Sequence, residues 1–335
     1  MKRALNILLV ACMVLSLFTL CACGSKTQEY TLGMGVVIGT DSSKENLAQV
    51  DATVAAVVLD KDGKIAACRL DAVQNKMDVT GGAVDTAASF KTKMELGDDY
   101  NMVKYSDAKA EWYDQAKAFE AYVTGKTPAE VAAIETTVND EGYNVAVDEA
   151  LLAGCTISIE DFMAAVVKAC NDKWGVGFSS DGSFKLGVAA ISDASESVAV
   201  ADDKDAEVKM YSEYAAAVVG ADGKLLACLN DATQPVVNVD KDGQITGSTV
   251  KGTKRELGDD YNMVKYGNAI AEWDAQSAAF SKYCVGKTAA EVLALETVVN
   301  EEGHQVTTDE TLFASCTMSI GGMMAVIAQA ANYAR

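Results

Sequence analysis

The 335-residue sequence has one histidine, His304, two prolines and three tryptophans. With so little histidine there is no Cys/His spacing of the kind that holds zinc, and a Ser-His or Cys-His nucleophile cannot occur twice in the chain. Hydrolysis is therefore the least supported chemistry, and neither a catalytic nor a metal-ligating residue is assigned. Positive charge is also short. The chain carries 28 Lys and Arg against 48 Asp and Glu, a formal net charge of -20. Nucleic acid and anionic head groups repel such a chain, so no nucleic-acid partner is expected; a solvating acidic surface is the ordinary use of that charge. Hydrophobic residues make up 50% of the sequence, enough for two cores at this length.

What occurs twice is more informative. Thr92 to Tyr105 (TKMELGDDYNMVKY) returns at Thr253 to Tyr266 (TKRELGDDYNMVKY) with one change, Met94 to Arg255. The match extends through Ala110-Glu111-Trp112 and Ala271-Glu272-Trp273, Gly125-Lys126-Thr127 and Gly286-Lys287-Thr288, and Cys155-Thr156 and Cys316-Thr317. Upstream, Tyr30-Thr31-Leu32-Gly33 answers Phe184-Lys185-Leu186-Gly187. The chain reads as a tandem duplication, with units at 30–172 and 184–335 and a linker at 173–183; each unit has the size of an ordinary domain. The repeated segment is acidic, glycine-containing and aromatic, the composition of a loop or element edge, where function is commonly carried.

At the start, Lys2 and Arg3 precede an apolar run from Ala4 to Leu20, which reads as a secretory signal over 1–22. Leu20-Cys21-Ala22-Cys23 resembles the lipobox of bacterial lipoproteins. The resemblance implies cleavage before Cys23, a lipid on Cys23, a lipidated linker over 23–29, and a mature chain anchored to the extracytoplasmic face of the cell membrane. Six cysteines then remain: Cys68, Cys155, Cys170, Cys228, Cys284 and Cys316. Apolar flanks place Cys68 and Cys228 as small buried strand residues.

Ala52 to Leu59, Lys61-Asp62-Gly63-Lys64 and Ile65 to Leu70 read as a hairpin, repeated by Tyr214 to Val219, Ala221-Asp222-Gly223-Lys224 and Leu225 to Leu229. Asp60 and Asp62 suit a turn better than calcium, because only Asp222-Gly223 persists in the second unit. A helix is expected over Ala108 to Val123, with Trp112, Ala116, Phe119 and Val123 at helical spacing. Another starts at Thr127-Pro128-Ala129-Glu130, a capping box kept at Thr288-Ala289-Ala290-Glu291. A closing apolar helix follows Cys155-Thr156-Ile157-Ser158 and Cys316-Thr317-Met318-Ser319. Strands and helices mix within each unit, so the class is α+β, with a hairpin-containing sheet and packed helices.

Ala153-Gly154-Cys155-Thr156-Ile157-Ser158 and Ala314-Ser315-Cys316-Thr317-Met318-Ser319, each before an apolar helix, resemble the Ser-Gly-Ala-Thr-x-Thr/Ser signature of FMN-binding domains. Such domains occur in sodium-pumping and Rnf electron-transfer complexes and in extracellular flavin lipoproteins. The resemblance implies covalent FMN, esterified to Thr156 and Thr317 by a flavin transferase, in an electron carrier that serves redox partners. Cysteine replaces the family's alanine at 155 and 316. Ala150 and Thr311 stand where the family has an aspartate. The phosphate would lie at a helix start, where Gly321-Gly322 leaves room and Glu160-Asp161 repels it. Trp112 and Trp273 are candidates to stack on the flavin ring or else core residues. Asp98-Asp99 and Asp259-Asp260 are candidate ligand contacts or else solvated loop acids. Ser158 and Ser319 are equally read as helix caps, with the threonines in a preceding strand. A noncatalytic ligand-binding or structural surface lipoprotein without cofactor is the alternative.

The lipobox makes a direct prediction: labelled fatty acid is incorporated into the wild-type chain and not into Cys23→Ala, which leaves the membrane fraction. Membrane retention of Cys23→Ala together with no label on wild type would refute the anchor.

Overall fold

The computed structural model describes residues 27–106, 108–202, 204–267 and 269–335; the signal segment and Cys23 lie outside the described residues. In the first half, strands β1 (Gln28–Gly39), β2 (Leu47–Leu59), β3 (Ile65–Asp78) and β4 (Ser89–Phe90) precede helices α1 (Lys93–Leu96), α2 (Met102–Tyr105), α3 (Trp112–Val123) and α4 (Pro128–Ala132). A small hairpin of β5 (Thr136–Val138) and β6 (Asn144–Ala146), then α5 (Glu149–Leu152) and α6 (Glu160–Cys170), complete it. After β7 (Val176–Ser180), the second half runs through β8 (Phe184–Asp193), β9 (Ala206–Lys209), β10 (Tyr211–Gly220), β11 (Leu225–Thr233), β12 (Val236–Val239) and β13 (Ile245–Thr249). Next come α7 (Lys254–Leu257), α8 (Met263–Gly267), α9 (Trp273–Cys284), α10 (Ala289–Leu293), hairpin β14 (Thr297–Val299) and β15 (Gln305–Thr307), α11 (Glu310–Phe313) and α12 (Gly321–Asn332).

Two four-stranded antiparallel sheets, ordered β3-β2-β1-β7 and β11-β10-β8-β4, pack face to face. Helices cover both outer faces: α6 lies on β1 and β2, α3 on β3, α12 on β8 and β10, and α9 on β11. The central strands are therefore apolar on both sides. Ala55 and Val57 pack under the first helical layer, while Val54, Ala56 and Val58 meet the opposite sheet. On β10, Ala215 and Ala217 face helices, and Tyr214, Ala216 and Val218 face the sheet interface. Small residues set the helix distance. A Cβ on Gly33 or Gly35 would strike the backbone of α6, and one on Gly187 that of α12. A third sheet, β13-β12-β9, closes one end over Val50, Met77, Val208 and Val237.

Several expectations hold. Both hairpins form, with Gly63 at φ 74° and Gly223 at φ 79°. Asp60 Oδ1 accepts from the N–H groups of Asp62 and Lys64, which makes it a turn residue. The capping boxes at Thr127 and Thr288 form, and so do two more at Thr92 and Thr253. Cys68 and Cys228 are buried on β3 and β11.

Others need correction. The helix expected from Ala108 starts at Trp112, because Glu111 is extended at the N-cap and spends its carboxylate on the N–H groups of Met102 and Val103. Ser158 and Ser319 do not cap α6 and α12: Ile159 and Ile320 hold the N-cap positions without a side-chain bond. Thr156 and Thr317 lie in irregular loop segments and not in strands. The segment 173–183 contains β7, which pairs with β1 and so extends the first sheet instead of merely linking the halves.

Met94 and Arg255, the one difference in the repeated segment, part company at the junction. Arg255 is 4% exposed and donates from one guanidinium nitrogen to both carboxylate oxygens of Asp172, also 4% exposed, at 3.1 Å. Asp172 in turn accepts from the N–H groups of Met34 and Trp174, and the guanidinium lies over the Trp174 ring. Met94 shares a hollow with Tyr333 and Arg335, where Gln329 and Tyr333 donate to Glu95. Arg335 pairs with buried Glu120 at 2.8 Å. A buried carboxylate deprived of its cation costs about 3–5 kcal/mol. Arg255→Met is accordingly expected to lower stability by that order in urea unfolding, with Arg255→Met/Asp172→Asn recovering part; an unchanged midpoint for the single variant would remove the junction role.

Candidate functional site

Each half carries one large cleft, and the two are built alike. The repeated segment folds as a helical turn, a 3₁₀ turn and another helical turn in both places. Gly97 (φ 51°, ψ -123°) and Gly258 (φ 50°, ψ -122°) take a conformation closed to side chains, and Asn101 and Asn262 are left-handed. Asp71 and Asp231, fully buried on β3 and β11, hold its start: their Oδ1 atoms accept from the N–H groups of Met94 and Arg255. Glu111 and Glu272 hold its end through the N–H groups of residues 102–103 and 263–264.

The Thr-x-Ser loops are fixed by glutamines. Gln115 Oε1 accepts from Thr156 N at 2.8 Å and Oγ1 at 3.2 Å; Gln276 Oε1 accepts from Thr317 N at 2.9 Å and Oγ1 at 3.3 Å. Cys155 and Cys316 are buried beneath them, and burial pushes both thiols up to about 11, so they are packing residues and not nucleophiles.

The first cleft, about 710 Å³, is lined by Lys93, Tyr100, Met102, Trp112, Thr156, Ser158 and Asp161, with Tyr143 at its rim. The second, about 1080 Å³, is lined by the corresponding Lys254, Tyr261, Met263, Trp273, Thr317 and Ser319, together with Tyr211, Glu213, His304 and Phe313. The structure thus unites the predicted threonines, serines and tryptophans in one place per half. Asp98, Asp99, Asp259 and Asp260 are exposed and line neither cleft; Asp98 accepts from Tyr113 instead. Among the described residues, no group of three or more His, Cys, Asp or Glu is placed to hold a metal.

Two features of each cleft were not anticipated. Lys93 sits 5.0 and 5.5 Å from the ring centres of Tyr100 and Trp112, and Lys254 sits 4.7, 5.0 and 5.6 Å from those of Tyr211, Tyr261 and Trp273. The tryptophans are 3% and 5% exposed, with a lysine over the ring. They serve as core and as a cation seat, not as open stacking faces. Each cleft also holds a carboxylate. Burial, then Glu160 and Asp51, raises the Asp161 carboxyl against the pull of Lys93; burial raises Glu213 against Tyr211 and Lys254.

These observations bear on the FMN phosphate. Gly321 and Gly322 do not leave the start of α12 open: a Cβ on Gly321 would meet Gln305, and one on Gly322 would collide with the Glu213 carboxylate. Both helix starts therefore have a carboxylate beside them, and the expected advantage of Thr317 over Thr156 disappears. The cation of each cleft is its lysine. The lysines and glutamines stood in plain view in both units, but only the fold puts each lysine on a cleft wall and each glutamine behind the threonine that lines it.

No protein-family model matches the chain, and no solved structure matches it. Over 137 residues the chain is 30% identical to a protein described as a chlorophenol reductase from Desulfitobacterium hafniense, covering 36% of this chain and 42% of that protein. The chain thus spans less than half the length of this relative. Among the described residues, no helix is long and apolar enough to cross a membrane.

Burial raises Asp71 to about 7 and Asp231 to about 6 from an ordinary 3.8. The folded state therefore holds these protons more tightly than the unfolded chain. Their contribution to stability is complete below pH ~4 and is lost as pH rises through about 6 to 7. Each group adds a slope of at most ~1.4 kcal/mol per pH unit in that window. Urea midpoints measured across it should flatten in Asp71→Asn and Asp231→Asn; an unaltered slope would show that these carboxyls are not the source.

Proposed function

We propose that this chain is a duplicated, lipid-anchored extracytoplasmic protein that binds one small ligand in each of two matched clefts. One observation carries the reading: lysine, tyrosine, methionine, tryptophan and threonine from the same places in each half line the same kind of cleft. A packing role alone does not call for a lysine held against aromatic rings on the wall of a cleft, with Lys254 only 7% exposed, since such a residue is ordinarily solvated at the surface. The ammonium is a receptor for an anionic group, and exposed aromatic residues at the rim, Tyr143 at 56% and Phe313 at 47%, offer apolar contact. In both clefts the threonine hydroxyl donates to a glutamine amide oxygen and not to a base, which favours binding over turnover.

A second reading, a flavin-bearing electron carrier, is favoured by the threonine hydroxyls that line both clefts and by the reductase named above. In that reading FMN is esterified to Thr156 and Thr317 alike, by a flavin transferase, and electrons pass to redox partners outside the cell. The segment shared with the reductase is about as long as one half of this chain.

Co-expression with a flavin transferase separates the two. Binding alone predicts colourless protein of unmodified mass that takes up two ligands per chain in calorimetry, with Lys93→Met and Lys254→Met each removing one site. A yellow protein carrying two flavin adducts, both lost in Thr156→Ala/Thr317→Ala, would establish the electron carrier instead.

A further inference from the structure

The two clefts differ in which element supplies their carboxylate, and the difference is reciprocal. Thr53 pairs with Val37 and Ala72 across its sheet, as Glu213 pairs with Ile191 and Ala232 across the other, so 53 and 213 are equivalent strand positions. Asp161 is the second residue of α6 and Gly322 the second of α12; the N-cap N–H groups, on Ile159 and Ile320, donate to the carbonyls of Asn144 and Gln305. One half therefore has threonine on the strand and aspartate on the helix, and the other has glutamate on the strand and glycine on the helix. Glu213 reaches into the space where a side chain on residue 322 would stand. The negative charge keeps its place while the residue that provides it changes. A carboxylate here also favours the helix start, but that does not account for the lysine kept beside it.

In neither cleft do the lysine and the carboxylate approach within ion-pair distance of 4.0 Å among the described residues. In the second cleft one hydroxyl stands between them: Lys254 Nζ donates to Tyr211 OH at 3.4 Å, and Tyr211 OH donates to Glu213 Oε1 at 3.1 Å. The remaining oxygen, Glu213 Oε2, is buried and has no partner. A cation and an anion held apart by protein groups, both on the wall of one cavity, are complementary to a ligand that bears both charges close together.

We propose that each cleft is a receptor for a small zwitterion, a free α-amino acid or a short peptide. The ligand carboxylate meets Lys93 or Lys254, and its ammonium meets Asp161 or Glu213. The inference rests on the reading of the clefts as ligand sites and specifies the class of ligand. A net-neutral zwitterion is not repelled by the acidic chain, whereas a purely anionic ligand is.

The test is titration calorimetry of the mature chain with the twenty L-amino acids, dialanine and FMN. At least one zwitterion is expected to bind at two sites. Its N-acetyl and methyl-ester forms each lose one charge contact, so affinity falls about tenfold or more. Glu213→Thr should weaken one site to a similar degree, and Glu213→Thr/Gly322→Asp, which gives the second cleft the arrangement of the first, should restore it. The blocked ligands act on wild-type protein, so their result does not depend on how a variant folds. Equal binding of blocked and free forms overturns the proposal, and so does a folded double variant without rescue. Binding of FMN but of no zwitterion overturns it while leaving two ligand clefts in place; no binding of any probe removes both readings.

Discussion

Each of the two four-stranded sheets has to hide both of its faces. One face meets the opposite sheet and the other meets helices, so β2 over 54–58 and β10 over 215–218 carry only alanine and valine, on both sides of the strand. The requirement reaches the rest of the molecule. Helices can seal the outer faces only by lying close to the strands, which is why glycine occupies the crossing points at 33, 35 and 187. Polar groups are driven to the strand ends and helix starts, where the clefts lie.

Those few polar atoms that remain inside are organised around backbone groups. Asp71 and Asp231 hold the first turn of the repeated segment, and Gln115 and Gln276 hold the threonine loops. Buried groups of this kind are costly unless satisfied, and when satisfied they hold their neighbours in one arrangement. The cleft walls are thus positioned by polar atoms behind them, although Asp71 Oδ2 is buried without a partner. The lysines are held differently, by ring faces that give attraction without neutralising the charge.

At the junction the two halves make different contacts. Arg255 crosses to Asp172, whereas Met94 leaves room for the C-terminal residues, and Glu95 and Glu120 take their partners from the last turns of the chain. The two sides of the junction are not occupied by the same groups. Several residues that face the clefts match between the halves, others such as Tyr143 and His304 do not, and the departures at 53 and 161 are answered in the complementary sense at 213 and 322.

Much of the local structure was legible in the residues. The hairpin turns follow from Asp-Gly, the capping boxes from Thr-x-x-Glu, and the mixed class from the alternation of strand-like and helix-like runs, because each depends on neighbours only a few positions away. The repeat could be seen by eye, and it named the segment that forms one wall of each cleft. Tertiary structure alone decided that β7 joins the first sheet, that the tryptophans lie under lysines, that Ser158 and Ser319 are not caps, and that Gly321-Gly322 is closed by Glu213. Those outcomes depend on groups from roughly 15 to more than 150 residues apart meeting in space. Strand pairing and helix packing set such meetings, and the spacing of letters along a chain does not record them.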